Sequence, residues 1–241
     1  MTEPRKLSID IWSDVMCPWC LVGWGNLSQA LGQLEGEIDA EIRWHAFELN
    51  PDMPDEGEER TAHIARKYGR TIEQSKDVQG QMRTAAEAAG VSLDYQGEEP
   101  APDAMMWNTF AAHRLLTWAL EEHGPEAQTR LKLALFKAHF NQRRRIGERE
   151  VLLDVAQEAG LDRDAAAFAL DREDIARKTR TEERAAMELS ITGVPAILVE
   201  GRFMIPGAQP SEAYANALRR VAERCTLLAD LSVGRSRMKG C

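Results

Sequence analysis

The residues with the clearest chemical potential are two cysteines separated by two residues, Cys17 and Cys20. Pro18 suits the first position of a helix, because its missing N–H would have no partner there. Cys17 would then be the N-cap residue. The partial positive charge of a helix N-terminus favours the thiolate, so we expect a lowered pKa at Cys17. One helical turn places Cys20 roughly 5–6 Å away, within reach of a disulfide. The spacing predicts a reversible disulfide, with Cys17 as nucleophile and Cys20 as resolving thiol.

Other roles for the cysteines are less well supported by the sequence. A structural zinc site normally needs a second Cys or His pair. The chain has neither a second C-x-x-C nor an H-x-x-x-H sequence, so no metal is expected. Cys225 and Cys241 are the remaining thiols. A regulatory disulfide between these two residues is an open alternative.

The apolar pattern around the cysteine pair predicts a strand, a helix and a second strand. Residues 6–12 alternate polar and apolar side chains, as a half-buried strand does. Over residues 18–34 the apolar side chains recur at steps of three and four, which is the spacing of a helix. A second strand is predicted within residues 38–49. This order is typical of a βαβ unit with parallel strands.

The rest of the chain divides into a helical stretch and a return to strands. Residues 61–190 are rich in Ala, Glu, Arg, Gln and Leu, which predicts helices. Strands are predicted at 196–199 and 202–205, and Glu200-Gly201 between them is typical of a β-hairpin turn. Residues 211–224 are predicted to form a final amphipathic helix. The order is βαβ, helical insertion, ββα, which is an α/β fold.

Composition excludes several classes of partner. The 241 residues carry 30 basic and 39 acidic side chains, a net charge of −9. Nucleic-acid-binding domains normally present a basic face, so no nucleic-acid partner is expected. No apolar run approaches the ~20 residues of a membrane span, so no membrane partner is expected either. The first six residues lack the apolar core of a secretion signal, and we expect a cytoplasmic protein.

Four segments carry a resemblance to a known family. Residues 13–20 read SDVMCPWC, and residues 192–196 read TGVPA. Together these two segments resemble the DsbA-like thioredoxin-fold proteins. The sequences FELNP at 47–51 and PGAQP at 206–210 resemble the FrnE subgroup of that family.

This resemblance implies the architecture in more detail. It implies a thioredoxin fold with a large all-helical insertion. Residues 1–60 and 191–241 would form the thioredoxin-like domain, and residues 61–190 would form the inserted domain. The resemblance also implies that the peptide bond before Pro195 is cis and that Pro195 lies opposite the cysteine pair.

The resemblance further implies a protein-disulfide oxidoreductase that acts as an oxidase, reductase or isomerase of disulfides. Kappa-class glutathione transferases and 2-hydroxychromene-2-carboxylate isomerases are related to this family and typically carry a serine at the position of Cys17. The presence of both cysteines therefore favours disulfide exchange. Two alternatives remain open. One is a glutathione-dependent transferase or isomerase, and the other is a redox-sensing binding protein.

The expected substrate is a protein or small peptide that contains a thiol or disulfide. No cofactor is expected beyond the Cys17–Cys20 disulfide, with glutathione as a possible co-substrate. Trp19 inside the motif is expected to be partly exposed and to contact the substrate. Val194 and Pro195 are expected to line a groove for an extended peptide, and Gln209 is expected to lie at its far end. Asn50, after the second strand, is a further candidate contact.

Overall fold

The computed structural model describes residues 3–69 and 71–237, and it describes the side chains of all of these except 72–73, 75–76 and 226–237. The strands are β1 (Arg5–Ser13), β2 (Ile38–Ala46), β3 (Glu58–Glu59), β4 (Met105–Met106), β5 (Ala196–Val199) and β6 (Phe203–Pro206). The helices are α1 (Pro18–Gln33), α2 (Arg60–Tyr68), α3 (Ile72–Ala88), α4 (Phe110–Phe136), α5 (Arg149–Glu158), α6 (Arg163–Asp171), α7 (Glu173–Glu188) and α8 (Ser211–Arg237). A π-helical turn, Lys137–Asn141, follows α4 directly.

A four-stranded mixed sheet carries the site, in the order β2-β1-β5-β6. β1 runs parallel to β2 and antiparallel to β5, and β5 pairs with β6 as a hairpin. The hairpin turns at Glu200-Gly201, where both residues have positive φ. The sheet confirms the predicted thioredoxin fold with a helical insertion. The second strand ends at Ala46, earlier than the predicted 49.

The helices α1 and α8 pack against each other beside the sheet. The apolar side chains at helical spacing in α1 are buried in the same core as those of β1, as the periodicity predicted. Tyr214 and Leu218 of α8 are fully buried in this core. None of the helices in the described part of the chain is both long and apolar enough to cross a membrane.

The insertion packs on the edge strand β2 through α4. The side chain of Gln128 bonds both backbone groups of Trp44: its Oε1 accepts from the Trp44 N–H at 2.8 Å, and its Nε2 donates to the Trp44 carbonyl at 2.7 Å. These bonds satisfy strand-edge groups that would otherwise stay open to another chain. Helix α4 is kinked at Gly124, directly before Pro125. The short strand β4 inside the insertion pairs with β3 and was not predicted.

The insertion also packs against the turn that precedes Cys17. Val15 and Met16 are buried in the same apolar cluster as Leu115, Leu131 and Leu135 of α4. The Trp107 N–H lies 2.8 Å from the sulfur of Met16. The helical block therefore covers the end of the sheet at which the cysteine motif lies. The exact domain limits stay a prediction.

Close packing of α1 on the start of the insertion generates a stability prediction. A Cβ at Gly25 would lie 2.5 Å from the Ala89 carbonyl oxygen, whereas a Cβ at Gly32, further along the same helix, would meet no atom within 4 Å. Gly25→Ala is expected to destabilise the fold by about 1–3 kcal/mol through overpacking. Gly32→Ala is expected to be neutral or to stabilise by up to about 1 kcal/mol, because alanine is the better helix former. Urea unfolding of both variants measures the difference, and equal effects would contradict it.

Candidate active site

Cys17 is the N-cap residue of α1, with Pro18 in the first helical position, as the sequence predicted. The residue has extended backbone angles, φ −83° and ψ 113°. Its N–H donates to the Asp14 carbonyl at 3.2 Å, and its carbonyl accepts from the Cys20 N–H at 3.0 Å. These bonds close the turn between β1 and α1, so the strand direction and the helix start together fix where the Cys17 sulfur lies.

Both sulfurs of the motif are buried, and both cysteines are free thiols. Cys17 is 4% exposed and Cys20 is 1% exposed, so Cys17 is the outer member of the pair. The Cys17 Sγ lies 3.7 Å from the Val194 carbonyl oxygen. The two thiol side chains are also hydrogen-bonded to each other. The motif is therefore a compact pair of thiols in which the ionisation of each depends on the other.

The pKa values of the two thiols move in opposite directions. The hydrogen bond with Cys20 raises the pKa of Cys17 well above its ordinary value, and burial raises it further. Burial alone would raise the pKa of Cys20, but the hydrogen bond from Cys17 and the positive charge of Lys132 outweigh burial and lower it. The predicted lowering of the pKa at Cys17 is therefore wrong for this reduced pair. The helix N-terminus is present, but no side-chain bond from Cys17 caps it.

The coupling between the thiols predicts how each one titrates alone. Cys20→Ala removes the largest cause that raises the pKa of Cys17, so the Cys17 thiolate is expected at lower pH than in the parent. Cys17→Ala removes a bond that favours the Cys20 thiolate, so the pKa of Cys20 is expected to rise. The rate of alkylation by iodoacetamide as a function of pH measures both shifts, in a background with Cys225 and Cys241 replaced by serine. Unchanged pH profiles of the alkylation rate in the two variants would contradict the coupling between the two thiols.

A buried carboxylate, Asp14, holds the turn before the motif. Its Oδ1 accepts from the Met16 N–H at 3.2 Å and its Oδ2 accepts from the Leu49 N–H at 2.8 Å. His113 of α4 lies 3.9 Å from Oδ1. Burial would raise the pKa of Asp14, but His113 and the two backbone donors lower it overall. Asp14 therefore ties the cysteine turn to the segment after β2 and to the insertion.

A buried lysine from the insertion lies beneath the motif. Lys132 of α4 has no exposed surface, and its Nζ lies 3.4 Å from the Ser13 carbonyl oxygen, to which it donates. The Nζ also lies 5.4 Å from the Trp44 ring centroid and 5.0 Å from that of Phe136. Burial lowers the pKa of Lys132 to about 8, although the negative charges of Cys20, Asp14 and Cys17 oppose this. The insertion thus brings a positive charge to the inner thiol, which the sequence analysis missed.

This arrangement predicts that Lys132 tunes the redox equilibrium. The ammonium favours a thiolate and so the reduced pair, and Lys132→Met is expected to make the disulfide harder to reduce. We expect a shift on the order of tenfold in the equilibrium with glutathione, which corresponds to about 30 mV for this two-electron couple. Lys137→Met, an exposed lysine on the π-helical turn that follows α4, is the matched control and is expected to change nothing. An unchanged equilibrium in a folded Lys132→Met protein would contradict this role.

Histidines of the insertion also lie close to this end of the sheet. Among the described residues, the Nε2 of His113 and the Nδ1 of His139 are buried without a hydrogen-bond partner. Burial lowers the pKa of His139 to about 4, so this ring is neutral at physiological pH. The sequence analysis assigned no role to either residue. No spacing signal marked them, because the two rings come from separate helical segments.

The structure brings Val194, Pro195 and the loop before α8 together beside Cys17. The Val194–Pro195 peptide bond is cis, as the family resemblance implied. The Pro195 carbonyl accepts from the Gly207 N–H at 2.8 Å. The Gln209 side chain donates to the Pro206 carbonyl at 2.7 Å. These bonds place the predicted groove residues in one continuous surface, with the Gln209 amide nitrogen already used within its own loop.

The other sequence-predicted residues have mixed outcomes. Trp19 is 39% exposed and so is available to a substrate, as predicted. The Asn50 Oδ1 accepts from His63 Nε2 at 3.1 Å and from Lys67 Nζ at 2.6 Å, so both bonds tie this side chain to α2. Cys225 is half-buried on α8, while Cys241 lies outside the described residues. A role for Asn50 in substrate binding stays a prediction.

A family model provides the assignment that this geometry supports. The model of the DSBA-like thioredoxin domain matches residues 8–219, which include most of β1, the rest of the sheet, the insertion and the start of α8. The chain belongs to the DSBA-like thioredoxin domain family. This is a family of thioredoxin-fold oxidoreductases, and the assignment to its FrnE subgroup stays a prediction.

Individual relatives agree with this family. An uncharacterized protein of Bacillus subtilis, YwbO, is 28% identical over 214 residues, which are 87% of this chain and 94% of the relative. The crystal structure of a probable DsbA oxidoreductase from Streptomyces coelicolor is 29% identical, covers 89% of each chain and has a TM-score of 0.78. A 2-hydroxychromene-2-carboxylate isomerase is 17% identical, covers 93% of this chain and 98% of its own, and has a TM-score of 0.62. The last likeness shows the fold alone.

Proposed function

We propose that this DsbA-like protein catalyses thiol–disulfide exchange through Cys17 and Cys20. The observation that carries the proposal is the pair of hydrogen-bonded free thiols at the start of α1, with the outer sulfur 3.7 Å from the Val194 carbonyl beside cis-Pro195. An extended cysteine-containing peptide can pair with backbone groups at such a loop. The pair itself supplies the electrons, so the proposed reaction uses no cofactor beyond the two sulfurs.

In the reducing direction, the Cys17 sulfur attacks one sulfur of a substrate disulfide. The substrate S–S bond breaks, one substrate thiolate leaves, and a mixed disulfide with Cys17 forms. The Cys20 thiolate then attacks the Cys17 sulfur, which releases the second substrate thiolate and closes the Cys17–Cys20 disulfide. Two electrons pass from the pair to the substrate, and the two thiol protons pass to the released thiolates or to solvent. Oxidation of a substrate is the reverse sequence.

The roles of the two sulfurs follow from their positions. Cys17 is the outer sulfur, so we propose that Cys17 meets the substrate first. Cys20 is the inner sulfur, and the positive charge of Lys132 favours its thiolate, so we propose that Cys20 resolves the mixed disulfide. Because Cys17 donates to Cys20 in the reduced pair, the proton of the attacking thiol has an acceptor within the site. Exposed Trp19 is the proposed substrate contact on the outer side of the helix start.

Insulin reduction in the presence of glutathione tests this proposal. Cys17→Ser is expected to abolish turnover, whereas Cys20→Ser is expected to accumulate a mixed disulfide with the substrate, detectable by mass spectrometry under non-reducing conditions. Cys225→Ser, a half-buried thiol on α8, is the matched control and is expected to retain activity. Turnover that survives Cys17→Ser would refute the proposal. Glutathione conjugation to an electrophile without disulfide exchange would favour the transferase alternative.

The oxidising or reducing direction depends on the potential of the pair and on the thiol partner available. We propose glutathione as one such partner. The cytoplasmic location stays a prediction from the sequence. Amide NMR during a glutathione titration of the Cys17→Ser, Cys20→Ser protein tests whether the Val194 groove binds the tripeptide, because covalent exchange with the motif is then impossible. Chemical-shift changes at both Val194 and Gln209 are expected.

A further inference from the structure

A second candidate binding region adjoins the cysteine motif on the side of the insertion. A cavity of about 340 Å³ is bounded by Met16 and Pro18, the two chain neighbours of Cys17. Its remaining walls come from α2, α3, the segment before α4 and the π-helical turn. This volume is at the lower end of the ~300–1,000 Å³ that is usual for small-molecule pockets. A larger cavity, of about 620 Å³, lies at the opposite end of β1 and contains neither cysteine nor a neighbour of one.

The walls of the smaller cavity are largely apolar and adaptable. Methionines contribute several of these surfaces, and their flexible thioethers fit irregular ligands. Trp107 and Phe140 add aromatic surface to the lining. The apolar lining residues that carry this argument are Met82, Met105, Met106, Trp107 and Phe140.

Three arginines reach the same cavity, although the whole protein is acidic. Arg83 is paired with Asp94 at 2.9 Å. Arg143 has a positive φ of 50°; its guanidinium donates to the Pro102 carbonyl at 2.5 Å and lies 5.3 Å from the Tyr95 ring centroid. Glu99 lines the cavity as well, and its carboxylate accepts from the Ala101 N–H at 2.8 Å.

Among the described residues, Arg60 is the one of these three arginines that has a buried guanidinium nitrogen without a hydrogen-bond partner. The residue is half-buried, and the nitrogen without a partner in the described part of the chain is its Nε. Among the described residues no carboxylate forms an ion pair with it. Burial lowers the pKa of Arg60, and the charge of Arg143 lowers it further. A buried guanidinium nitrogen without a partner is costly, and a planar carboxylate is the group that matches the donors of a guanidinium best.

We propose that this cavity binds a small disulfide or thiol that has an apolar, aromatic body and a carboxylate. The carboxylate would bind Arg60 and Arg143, and the body would pack on the methionines and Trp107. The sulfur would then lie next to Met16 and Pro18, toward Cys17. This inference rests on the proposed function, because it names the substrate class of the same cysteine pair. The volume of about 340 Å³ favours a small molecule over a protein segment.

Two aromatic disulfides provide a direct test on the reduced protein. Dithiobis(nitrobenzoate) carries a carboxylate on each ring, whereas dithiodipyridine is neutral. In each reaction Cys17 attacks the aromatic disulfide, one arylthiolate leaves, Cys20 closes the protein disulfide, and the second arylthiolate leaves. Arg60→Gln is expected to slow the reaction with dithiobis(nitrobenzoate) by about tenfold or more, which is the size expected for a lost charge-assisted hydrogen bond. The rate with dithiodipyridine is expected to change by less than about twofold, since no carboxylate contact is lost.

Arg220→Gln is the matched control, because it removes the same charge from an exposed position on α8. Both probes are expected to react with it at parent rates, which separates local binding from general charge attraction. Arg143→Gln is a second, independent variant in case Arg60→Gln does not fold. Sulfur-free nitrobenzoate is expected to compete with the anionic probe in the parent and not in either arginine variant.

The outcomes separate this inference from the proposed function. If neither probe oxidises Cys17 and Cys20 of the parent protein, disulfide exchange itself is refuted. Fast reaction with both probes, with the arginine variants unchanged, would leave disulfide exchange intact and overturn the anionic cavity. Competition by an acidic peptide but not by nitrobenzoate would overturn the small-molecule assignment in favour of a protein segment.

Discussion

Two thiols buried side by side at a helix start can hold only one negative charge between them. A second thiolate would face both the first thiolate and the cost of burial, so the pair ionises as a unit. The hydrogen bond from Cys17 and the positive charge of Lys132 favour the thiolate on the inner sulfur. The outer sulfur keeps the proton and contacts the Val194 carbonyl. Strand, helix and cis-proline loop all serve to hold this pair in place.

The charges that make this pair work come largely from outside the thioredoxin sheet. Asp14 belongs to the cysteine turn itself, but Lys132 and His113 come from α4, and the unmatched Arg60 begins α2. The sheet and α1 place the sulfurs, while the insertion sets the electrostatic environment on two sides of them. Such a division lets one fold support different redox directions and substrates, because the helices can change while the strand–helix corner stays the same.

The sequence predicted the strand and the helix that position this site, because local sequence patterns determine both elements. Alternation defined β1, periodicity defined α1, and Pro18 fixed Cys17 as the N-cap. The charged residues beneath the motif were not predictable in the same way. Lys132 directly follows the buried Leu131, where a lysine usually lies at the edge of an amphipathic helix with its amine in water. Only the tertiary contacts of α4 with β2 and the cysteine turn make it buried.

The pKa of Cys17 shows the same limit at one residue. The helix N-terminus was identified correctly, and alone it favours a thiolate. Its effect is a local property, whereas the hydrogen bond between the sulfurs and their burial depend on the assembled core. These two contributions dominate, so a rule about helix ends gave the wrong sign for Cys17. For a buried pair, the order of ionisation is set by the groups that face each sulfur.

Oxidation of the pair changes this balance of charge. Forming the disulfide removes the negative charge beside Lys132 and leaves Asp14 as the remaining acidic group of the buried cluster. A charge in a protein core is costly unless it is paired. The oxidised state therefore bears a cost that the reduced state avoids, and that difference enters the redox equilibrium directly. By this argument the insertion makes the motif a stronger acceptor of electrons than the same four residues would be on a bare thioredoxin sheet.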